Sequence, residues 1–414
     1  LEKNQGIVQI TGCLESQKAH LIHGLSGKTP MRLVIAGDER QAKEIFEDLR
    51  FYDKNTMFYP AKDLLFFQAD IQGNLLIRQR MCVVKALLEQ KELTVVTSID
   101  GCMDYLMPLE EIGKKVLHFY SDSVINMDVL KNKCKYQKVI VDTYWNPGSD
   151  NGRPELFTPA FRLDLFFLGY KKGLRNHDGV SLEENFGELP DNLQDYVEWV
   201  RKWIIQKKSE GCVALKIAMA YERSLHFEKV TREQAERVFR LKESDITQED
   251  IRCFQDYLFW KICEIAAEVS LPLQCHTGMG QVIDTNILQL NNVIKNNPET
   301  KFVLLHCGFP WVDDLFSIVD GYPNLYPDLT WLPILSYTAS KRVMHQLIEM
   351  SQIDKICWGC DTWTVEESYG SLLAFRFSLC SVLREKIEDG YLSVNNAKDI
   401  IDKILFDNAG KIYV

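Results

Sequence analysis

Several features that would place this chain of 414 residues in a familiar class are missing from its sequence. No stretch of about 20 apolar residues is present, as an ordinary transmembrane helix requires, and no signal peptide is recognisable. The formal net charge of −10 and the lack of a basic block give no support to nucleic-acid binding. The twelve cysteines are scattered singly, which fits free thiols in a reducing compartment. We therefore expect a cytoplasmic protein with no membrane contact and, for this chain alone, no nucleic-acid partner.

What is present is an alternation of apolar runs and helical patterns between Leu271 and Asp361. The runs have strand length, are bounded by Pro or Gly, and end at His276, His306, Asp328 and Asp361. This alternation of strand-length runs and helical patterns predicts βα units and a parallel sheet. In a (β/α)8 barrel the carboxyl ends of the strands meet on the face where active sites are built. Two histidines and two aspartates at four successive strand ends therefore predict a site rather than four packed side chains.

Further runs lie upstream of this stretch. Lys138 to Asp142 reads as a strand, and Gly211 to Ala218 is a second apolar run that is interrupted by Lys216. An inward-facing lysine in a barrel needs a partner, because an unpaired buried charge is unfavourable. The amphipathic pattern of Asp195 to Ser209 predicts a core-packed helix. Cys357-Trp-Gly-Cys360 has the spacing of a redox motif, but we interpret it as part of a strand.

Two arginines are candidates for binding an anionic substrate group. Arg153 lies in a loop rich in turn formers, Trp145 to Pro159, that follows the strand ending at Asp142. It could hold a carboxylate as a planar fork or form a surface ion pair, and the sequence leaves both open. Arg223 lies just past the run that contains Lys216 and is the second candidate.

As an ordered set, these pieces resemble the amidohydrolase superfamily, in its amidohydrolase 2 branch of TIM-barrel metal-dependent hydrolases. The resemblance covers roughly residues 138 to 414 and is carried by Ala214-Leu-Lys216, Ala220-Tyr-Glu-Arg223, His276-Thr-Gly278, Leu305-His306-Cys-Gly-Phe-Pro310, Asp328-Leu-Thr-Trp331, Gly359-Cys-Asp361 and Asn408-Ala-Gly-Lys-Ile-Tyr413. It implies hydrolysis of a small amide, lactone or carboxylated molecule by a metal-activated water.

The resemblance also implies roles for single residues. Asp361 would contact the metal and take the proton from the water, and His276 would be a metal ligand. His306 would be a ligand or a donor to the substrate carbonyl. Lys216 occupies the strand where two-metal members carry a carboxylated lysine. Asp328, Arg153 and Arg223 would bind the substrate.

One element of the resembled family is missing. The superfamily opens its barrel with a strand that ends in His-x-His, and no such strand precedes Lys138. We therefore expect a barrel truncated at its start, with His276, Asp361 and His306 as the remaining ligands. A catalytic zinc site normally has three protein ligands. The expected cofactor is a divalent metal, zinc by ligand type, with weak or absent occupancy and an inactive enzyme as one outcome.

The first part of the chain predicts a different module. Gly12 and Lys18 have the spacing of a phosphate-binding loop, but Gln17 replaces its second glycine and Ala19 replaces the hydroxyl residue that holds Mg²⁺. We therefore expect a degenerate loop that does not hydrolyse ATP. Predicted strands and helices alternate around it as an open, doubly wound α/β module: strands at Gly6 to Ile10, Met31 to Ala36, Asn55 to Pro60 and Leu93 to Ser98, with helices through His23, at Gln41 to Arg50 and at Arg78 to Gln90.

Residues 1 to about 120 resemble the amino-terminal, degenerate helicase-like module of bacterial transcription-repair coupling factors. The residues that carry this resemblance are Thr11-Gly12 to Ala19-His20, Tyr59 to Phe66, Arg78-Gln79-Arg80, Val95 to Ser98 and Pro108-Leu109. The active translocase of that family is not recognisable in the rest of the chain, so the resemblance does not imply DNA translocation.

The two resemblances predict three segments: a helicase-like α/β module at 1–120, a junction at 121–137, and an amidohydrolase-like incomplete barrel at 138–414. Because no flexible linker separates the halves, we interpret the chain as a chimera. The first residue is Leu1 rather than methionine, which we expect of a piece of a longer reading frame. The open hypotheses are a hydrolase with a small-molecule substrate, a repair-factor fragment with a binding role only, and a non-functional chimera. Open barrel edges would favour a homo-oligomer.

Overall fold

The computed structural model of the chain describes residues 9–25, 29–61, 70–89, 92–103, 114, 123–176, 178–280, 283–350 and 352–413. The chain divides into two compact units, Leu1–Ser121 and Asp122–Val414. Most of the predicted strand at Gly6 to Ile10, the motif residues after Ala61, and Pro108-Leu109 lie outside the described residues. Among the helices that are described, none combines the length and the apolar character that crossing a bilayer requires.

The described part of the first unit is a parallel sheet covered by helices on both faces. Its strands pair in the order β1-β3-β2. The elements are α1 (Glu15–Leu25), β1 (Met31–Ala36), α2 (Glu39–Tyr52), β2 (Thr56–Tyr59), α3 (Asp70–Leu88), β3 (Leu93–Ser98) and α4 (Ile99–Met103). Leu49 of α2 packs on Val96, while Val83 of α3 packs on Val95, which points to the opposite face. The α/β alternation agrees with the sequence, and the helicase-like identity stays a prediction.

The second unit is built on a curled parallel sheet that forms half of a TIM-type barrel. In the described residues six strands pair in chain order, as expected for successive βα units. They are β4 (Val139–Asp142), β5 (Phe157–Arg162), β6 (Ala214–Ile217), β7 (Leu273–His276), β8 (Phe302–Leu305) and β9 (Leu325–Asp328). A single bridge joins Asp328 to Cys357 beyond β9.

Helices follow the strands and cover the outside of this sheet. Ser123–Asp128 (α5) continues into a π-helical turn, Val129–Lys133. The predicted junction, 121–137, is therefore in part helical, and from Asp122 onwards it belongs to the second unit. The remaining helices are α6 (Leu182–Phe186), α7 (Leu193–Ser209), α8 (Arg232–Arg240), α9 (Gln248–Glu268), α10 (Asn291–Asn296), α11 (Asp313–Phe316), α12 (Leu332–Leu335), α13 (Tyr337–Glu349), α14 (Val365–Glu388), α15 (Val394–Asp402) and α16 (Asn408–Ile412).

Alternate residues of the strands point to two different environments. Leu215, Leu273 and Leu304 face outward and belong to the large core under the helices. Small inward residues, Ala160 and Ala214, belong to a second cluster that contains Ile412 and Tyr413 from the carboxyl terminus. The Tyr413 hydroxyl accepts a hydrogen bond of 2.9 Å from the Gln274 amide. The chain terminus therefore closes the amino-terminal end of the half-barrel, and the polar inward residues lie at the other end.

The structure corrects two boundaries of the sequence analysis. The predicted loop Trp145 to Pro159 ends early, because Phe157–Arg162 is β5, a strand between β4 and β6. Its Pro159 resembled a turn residue but lies in the strand, where its carbonyl accepts a hydrogen bond from the Val213 amide. The predicted strand from Lys355 to Asp361 is reduced to the bridge at Cys357.

Candidate active site

A cavity of about 480 Å³ lies at the carboxyl ends of the strands in the second unit. Its wall combines charged side chains from the strands with aromatic side chains from the loops that follow them. The charged residues that line the cavity are Asp142, Arg162, Asp178, Lys216 and Asp361. His276 also lines it, and the aromatic lining residues include Tyr144, Trp145, Tyr221, Trp331 and Trp363. Such a cavity has the size and polarity of a small-molecule site.

His276 is the last residue of β7 and is only 2% exposed. Its Nε2 contacts the carbonyl oxygen of Met279, so we place the ring proton on Nε2, where it donates to that oxygen. Gly278, with φ +79°, allows this tight turn, because a Cβ there would overlap the carbonyl of Phe309. The turn therefore fixes the orientation of the ring and leaves Nδ1 with its lone pair.

His306 follows β8 directly and is fully buried behind His276. Its Nδ1 donates to the carbonyl oxygen of Thr330 over 3.0 Å, which leaves Nε2 with its lone pair. That Nε2 lies 3.1 Å from Nδ1 of His276. The ring of Trp331 stacks on His306 with centroids 4.6 Å apart. Two unprotonated nitrogens therefore face each other across a short distance.

Both rings are kept neutral by their surroundings. Burial, with the positive charge of Lys216 added to it, lowers the pKa of His306 to about 3. Burial and the neighbouring His306 and Lys216 also lower the pKa of His276 well below its usual value. Neutral imidazole is the form that binds metal ions.

Asp361 completes the group predicted from the strand ends. Its Oδ2 lies 3.7 Å from Nε2 of His306, and its side chain is 42% exposed towards the cavity. The backbone around the site is unusual: His306, Cys307, Trp331 and Asp361 all have positive φ, between 49° and 66°. Non-glycine residues seldom adopt this conformation, and such strained positions cluster at functional sites.

The implied metal can be tested against these donors. Two imidazole nitrogens and a carboxylate oxygen are the ligand types of catalytic zinc sites, and the facing lone pairs of His276 and His306 suit a bound cation. Within the described ranges, however, no three His, Cys, Asp or Glu side chains converge as a complete metal site. The donor set therefore fits a divalent metal in its chemistry, while the ligand shell is only partly formed.

An ion-pair cluster that the sequence analysis did not assign lies beside this group. Arg162, at the end of β5, contacts Asp164 at 2.6 Å, Asp142 at 3.4 Å and Asp178 at 3.7 Å. Burial alone would lower the pKa of Arg162, but the three carboxylates raise it above its usual value. Burial also raises the pKa of Asp142, against the opposing effect of Arg162. The signal that could have found Arg162 is its position directly after Phe157 to Phe161, a strand-length run that is apolar except for Thr158.

Lys216 and Asp328 are inward-facing, as expected, but only one of them reaches the cavity. Lys216 is 4% exposed and lines it. Asp328 is buried beneath, where its Oδ1 accepts hydrogen bonds from the amide and the hydroxyl of Thr330 at 2.9 and 2.6 Å. Burial raises the pKa of Asp328. Its carboxyl group therefore holds the turn at Thr330, whose carbonyl oxygen in turn accepts the hydrogen bond from His306.

The structure does not bring Arg153 and Arg223 to the cavity. Arg153 is a surface residue 3.9 Å from Glu155. Arg223 pairs with the buried Asp256 at 2.7 Å and stacks over Phe227. Each guanidinium pairs with a nearby carboxylate, which for Arg153 is the surface ion pair that the sequence had left open beside substrate binding.

The other predicted positions can be placed as follows. Lys18 lies on α1, and Gly12, with φ +78°, lies in the turn before it. Cys357 is buried and Cys360 lines the cavity, and both are free thiols.

Comparison with known proteins agrees with this geometry. A family model described as amidohydrolase matches residues 223–413. The carboxyl-terminal region is an amidohydrolase domain. The chain is 25% identical to uronate isomerase of Thermotoga neapolitana over 263 residues, which is 56% of each protein. It is 28% identical to protein fluG of Emericella nidulans over 148 residues, 34% of this chain and 17% of that protein. The chain thus spans about half the length, or less, of these relatives.

Solved structures show the same fold for the amidohydrolase domain. A protein from Lactobacillus casei described as a metal-dependent hydrolase superposes with a TM-score of 0.56 at 21% identity, covering 67% of this chain and 73% of that one. Uronate isomerase of Thermotoga maritima superposes with a TM-score of 0.56 at 18% identity, covering 69% of each chain. These similarities do not support the resemblance of residues 1–120 to coupling factors or the interpretation as a chimera, and both stay predictions.

Proposed function

We propose that the second unit is a metal-dependent hydrolase that adds water to a small amide or lactone bound in the cavity. The observation that carries the proposal is the approach of His276, His306 and Asp361, with two neutral imidazole nitrogens 3.1 Å apart and a carboxylate oxygen 3.7 Å from one of them. His276, His306 and Asp361 would hold the ion, for which zinc suits the ligand types. When bound, the ion would lower the pKa of a water molecule towards about 7 and polarise the substrate carbonyl.

Three side chains of the protein have different roles in the proposed reaction. Asp361, partly exposed at the cavity, is the base that takes the proton from the attacking water. His306 is fully buried, so its role is to present its Nε2 beside His276 rather than to touch the substrate. The ring of Tyr221 packs at an angle of 54° against His276, with ring centroids 4.6 Å apart. Burial raises the pKa of Tyr221 to about 12, so its phenol stays protonated and can donate to a substrate oxygen.

The test is to load the purified chain with Zn²⁺ or Mn²⁺, measure bound metal by mass spectrometry, and assay a panel of lactones and amides. We expect metal to raise both turnover and melting temperature, and His276→Ala to abolish both effects. His226→Ala is the control, because His226 is exposed and pairs with Glu228 away from the cavity. Turnover that survives chelation, or that survives in His276→Ala, would contradict the proposal.

Isomerisation of a uronate sugar is the second candidate, favoured by the similarity to uronate isomerase over 56% of the chain. The two reactions differ in the fate of water. Hydrolysis incorporates one oxygen atom from the solvent into the product, whereas isomerisation moves hydrogen between neighbouring carbons and leaves the composition unchanged. Product mass spectrometry in ¹⁸O-labelled water with both substrate classes distinguishes them.

A further inference from the structure

The cavity of the active site extends around the free edge of β4. Neighbouring residues of a strand point to opposite faces of its sheet, yet Val141 and Asp142 both line the cavity. β4 pairs with β5 on one side, and in the described part of the chain no strand pairs with its other side. The cavity therefore has two lobes, a polar lobe on the face of Asp142 and a second lobe on the face of Val141.

The second lobe is lined by apolar side chains. Val139 and Val141 lie on the same face of β4, and Phe157 of β5 pairs with Val139 in the register of the sheet. Leu130, from the π-helical turn, and Val365, at the start of α14, pack with Phe157 in one hydrophobic cluster. All five side chains line the cavity. We call this part of the cavity the apolar lobe.

The side chains of the apolar lobe are less buried than those of a closed core. Of the five residues only Leu130 is buried, and the other four are partly exposed. Leu156, in the same cluster, is 0% exposed. A nearby polar pair is already engaged, since Cys360 Sγ and Ser368 Oγ lie 3.3 Å apart. Apolar surface that stays accessible inside a cavity is covered favourably by an apolar group of a ligand.

Aromatic side chains line the cavity where it opens to solvent. Trp145 is 54% exposed and Trp363 is 75% exposed. The ring of Tyr144 contacts both, with centroids 4.9 and 5.6 Å away. The segment of Trp363 is held at the start of α14, because Glu367 accepts hydrogen bonds from the amides of Trp363 and Thr364 at 3.0 and 3.2 Å. Exposed aromatic rings at a cavity suit a ligand that itself carries a flat apolar ring.

We infer that the apolar lobe is a subsite for an apolar ring, such as a phenyl group, carried by the molecule whose carbonyl reacts in the polar lobe. This inference rests on the proposed hydrolase function and adds to it the part of the substrate that does not react. Binding of such a remote group positions the carbonyl in the lobe that contains His276 and Asp361. The hydroxyl groups of a sugar ring would meet the side chains of Val139, Val141 and Phe157, which offer no hydrogen bonds, so a sugar ring is disfavoured.

Two amides with six-membered rings test the inference: phenylacetamide, with an apolar ring, and glucuronamide, with a hydroxylated ring. Their binding to the full chain is measured by calorimetric titration with and without a chelator. We expect phenylacetamide to bind at least about tenfold more tightly, as burial of a phenyl group provides. This preference should persist under chelation, since the apolar lobe contributes no metal ligand. Titrations at several temperatures should show the negative heat-capacity change of apolar burial for phenylacetamide.

Variants of Val141 locate the binding in the apolar lobe. Val141→Phe should fill the lobe and weaken phenylacetamide binding about tenfold or more, because the phenyl group then stays in water. Val141→Thr keeps the shape of valine but places a hydroxyl in the lobe, so a loss of about three- to tenfold is expected. Val213→Thr is the matched control with unchanged affinity, because Val213 is also partly buried but packs against the inner cluster of Ala160 and Ala214. Melting curves check that each variant is folded.

Three results would overturn the inference: equal or tighter binding of glucuronamide, no binding of phenylacetamide, or unchanged phenylacetamide affinity in both Val141 variants. The hydrolase function is judged by a different measurement, metal-dependent turnover. Phenylacetamide binding that depends on Val141, without metal-dependent turnover of any amide or lactone, would refute only the hydrolase. Metal-dependent turnover together with tighter binding of glucuronamide would refute only the subsite.

Discussion

At the scale of single residues, the site depends on backbone conformations that side chains seldom adopt. His306, Trp331 and Asp361 all have positive φ, in the segments that follow β8, β9 and the bridge at Cys357. The chain turns at Asp361 instead of continuing as an extended strand, and Oδ2 of Asp361 lies 3.7 Å from Nε2 of His306. Local strain and function therefore coincide in the same few residues.

Asp361→Asn tests the assigned base without changing the backbone. Asparagine has the shape of aspartate and tolerates positive φ, so the fold should be retained. Loss of the general base should reduce turnover about 10²- to 10⁴-fold. Activity assays together with melting curves check this result. Full activity in this variant would assign the base to another group.

Gly278 is the second position where an unusual backbone conformation determines which residue the site tolerates. Gly278→Ala should destabilise the protein by about 2–4 kcal/mol, because a Cβ would add strain at φ +79° and would overlap the Phe309 carbonyl. Gly390→Ala is the matched control: its φ is +75° but it has open space around it, so about 1 kcal/mol is expected. Urea unfolding measures both. Equal losses would show that the close contact is relieved at little cost.

At the scale of elements, the carboxyl-terminal segment holds the amino-terminal end of the half-barrel. Asn408, at the start of α16, is fully buried and donates to the carbonyl oxygens of Ile353 and Ile356 at 2.7 and 2.9 Å. These bonds tie α16 to the segment that leads to Cys357 and the site. They place Tyr413 where it can meet Gln274.

Asn408→Ala should therefore destabilise the protein by about 2–3 kcal/mol, since it removes the donor of two bonds to buried carbonyls. Asn296→Ala is the control, because the Asn296 side chain is exposed and bonds only within α10; a change within about 0.5 kcal/mol is expected there. Denaturant unfolding checks both variants. A small effect at Asn408 would show that water replaces the lost donor.

An ion-pair group links α13 to α14. Glu385 accepts from Lys341 and from His345, and these hydrogen bonds lower its pKa to about 2. A carboxylate with a depressed pKa stabilises the fold above its unfolded pKa, about 4.3, and this stabilisation is lost as the pH falls towards 2. Glu385→Gln should therefore lower the melting temperature at pH 7. The difference from wild type should shrink below about pH 4.5, which calorimetry over a pH series measures. A difference independent of pH would exclude the charge as its cause.

At the scale of the whole molecule, all the described residues that line the cavity belong to the second unit. Its large core and the inner cluster also consist of residues from that unit. Residues 122–414 expressed alone should consequently fold and bind Zn²⁺ with the affinity of the full chain. Circular dichroism and calorimetry test this expectation. An unfolded fragment, or one with much weaker binding, would show that residues 1–121 contribute to the site.

The sequence by itself determined that the later βα units lie side by side and that His276, His306 and Asp361 approach one another. Each histidine or carboxylate follows an apolar run that ends in turn residues, and successive βα units place such ends side by side. These signals are local, so they can be read along the chain. The same rules did not predict β5, because Pro159 and the turn formers before it resembled a continued loop. Arg162, at the end of that strand, was therefore not identified as a site residue.

Only the tertiary structure decided which charged groups remain available. Arg223 meets Asp256, Arg162 meets Asp142, Asp164 and Asp178, and Lys216 meets no carboxylate within 4.0 Å among the described residues. Ring orientation was also set at this level, by the carbonyls of Met279 and Thr330. The physical reason is that an ion pair or a hydrogen bond depends on a distance of a few ångströms between distant parts of the chain. No local pattern encodes that distance, whereas packing of the sheet and its helices fixes it.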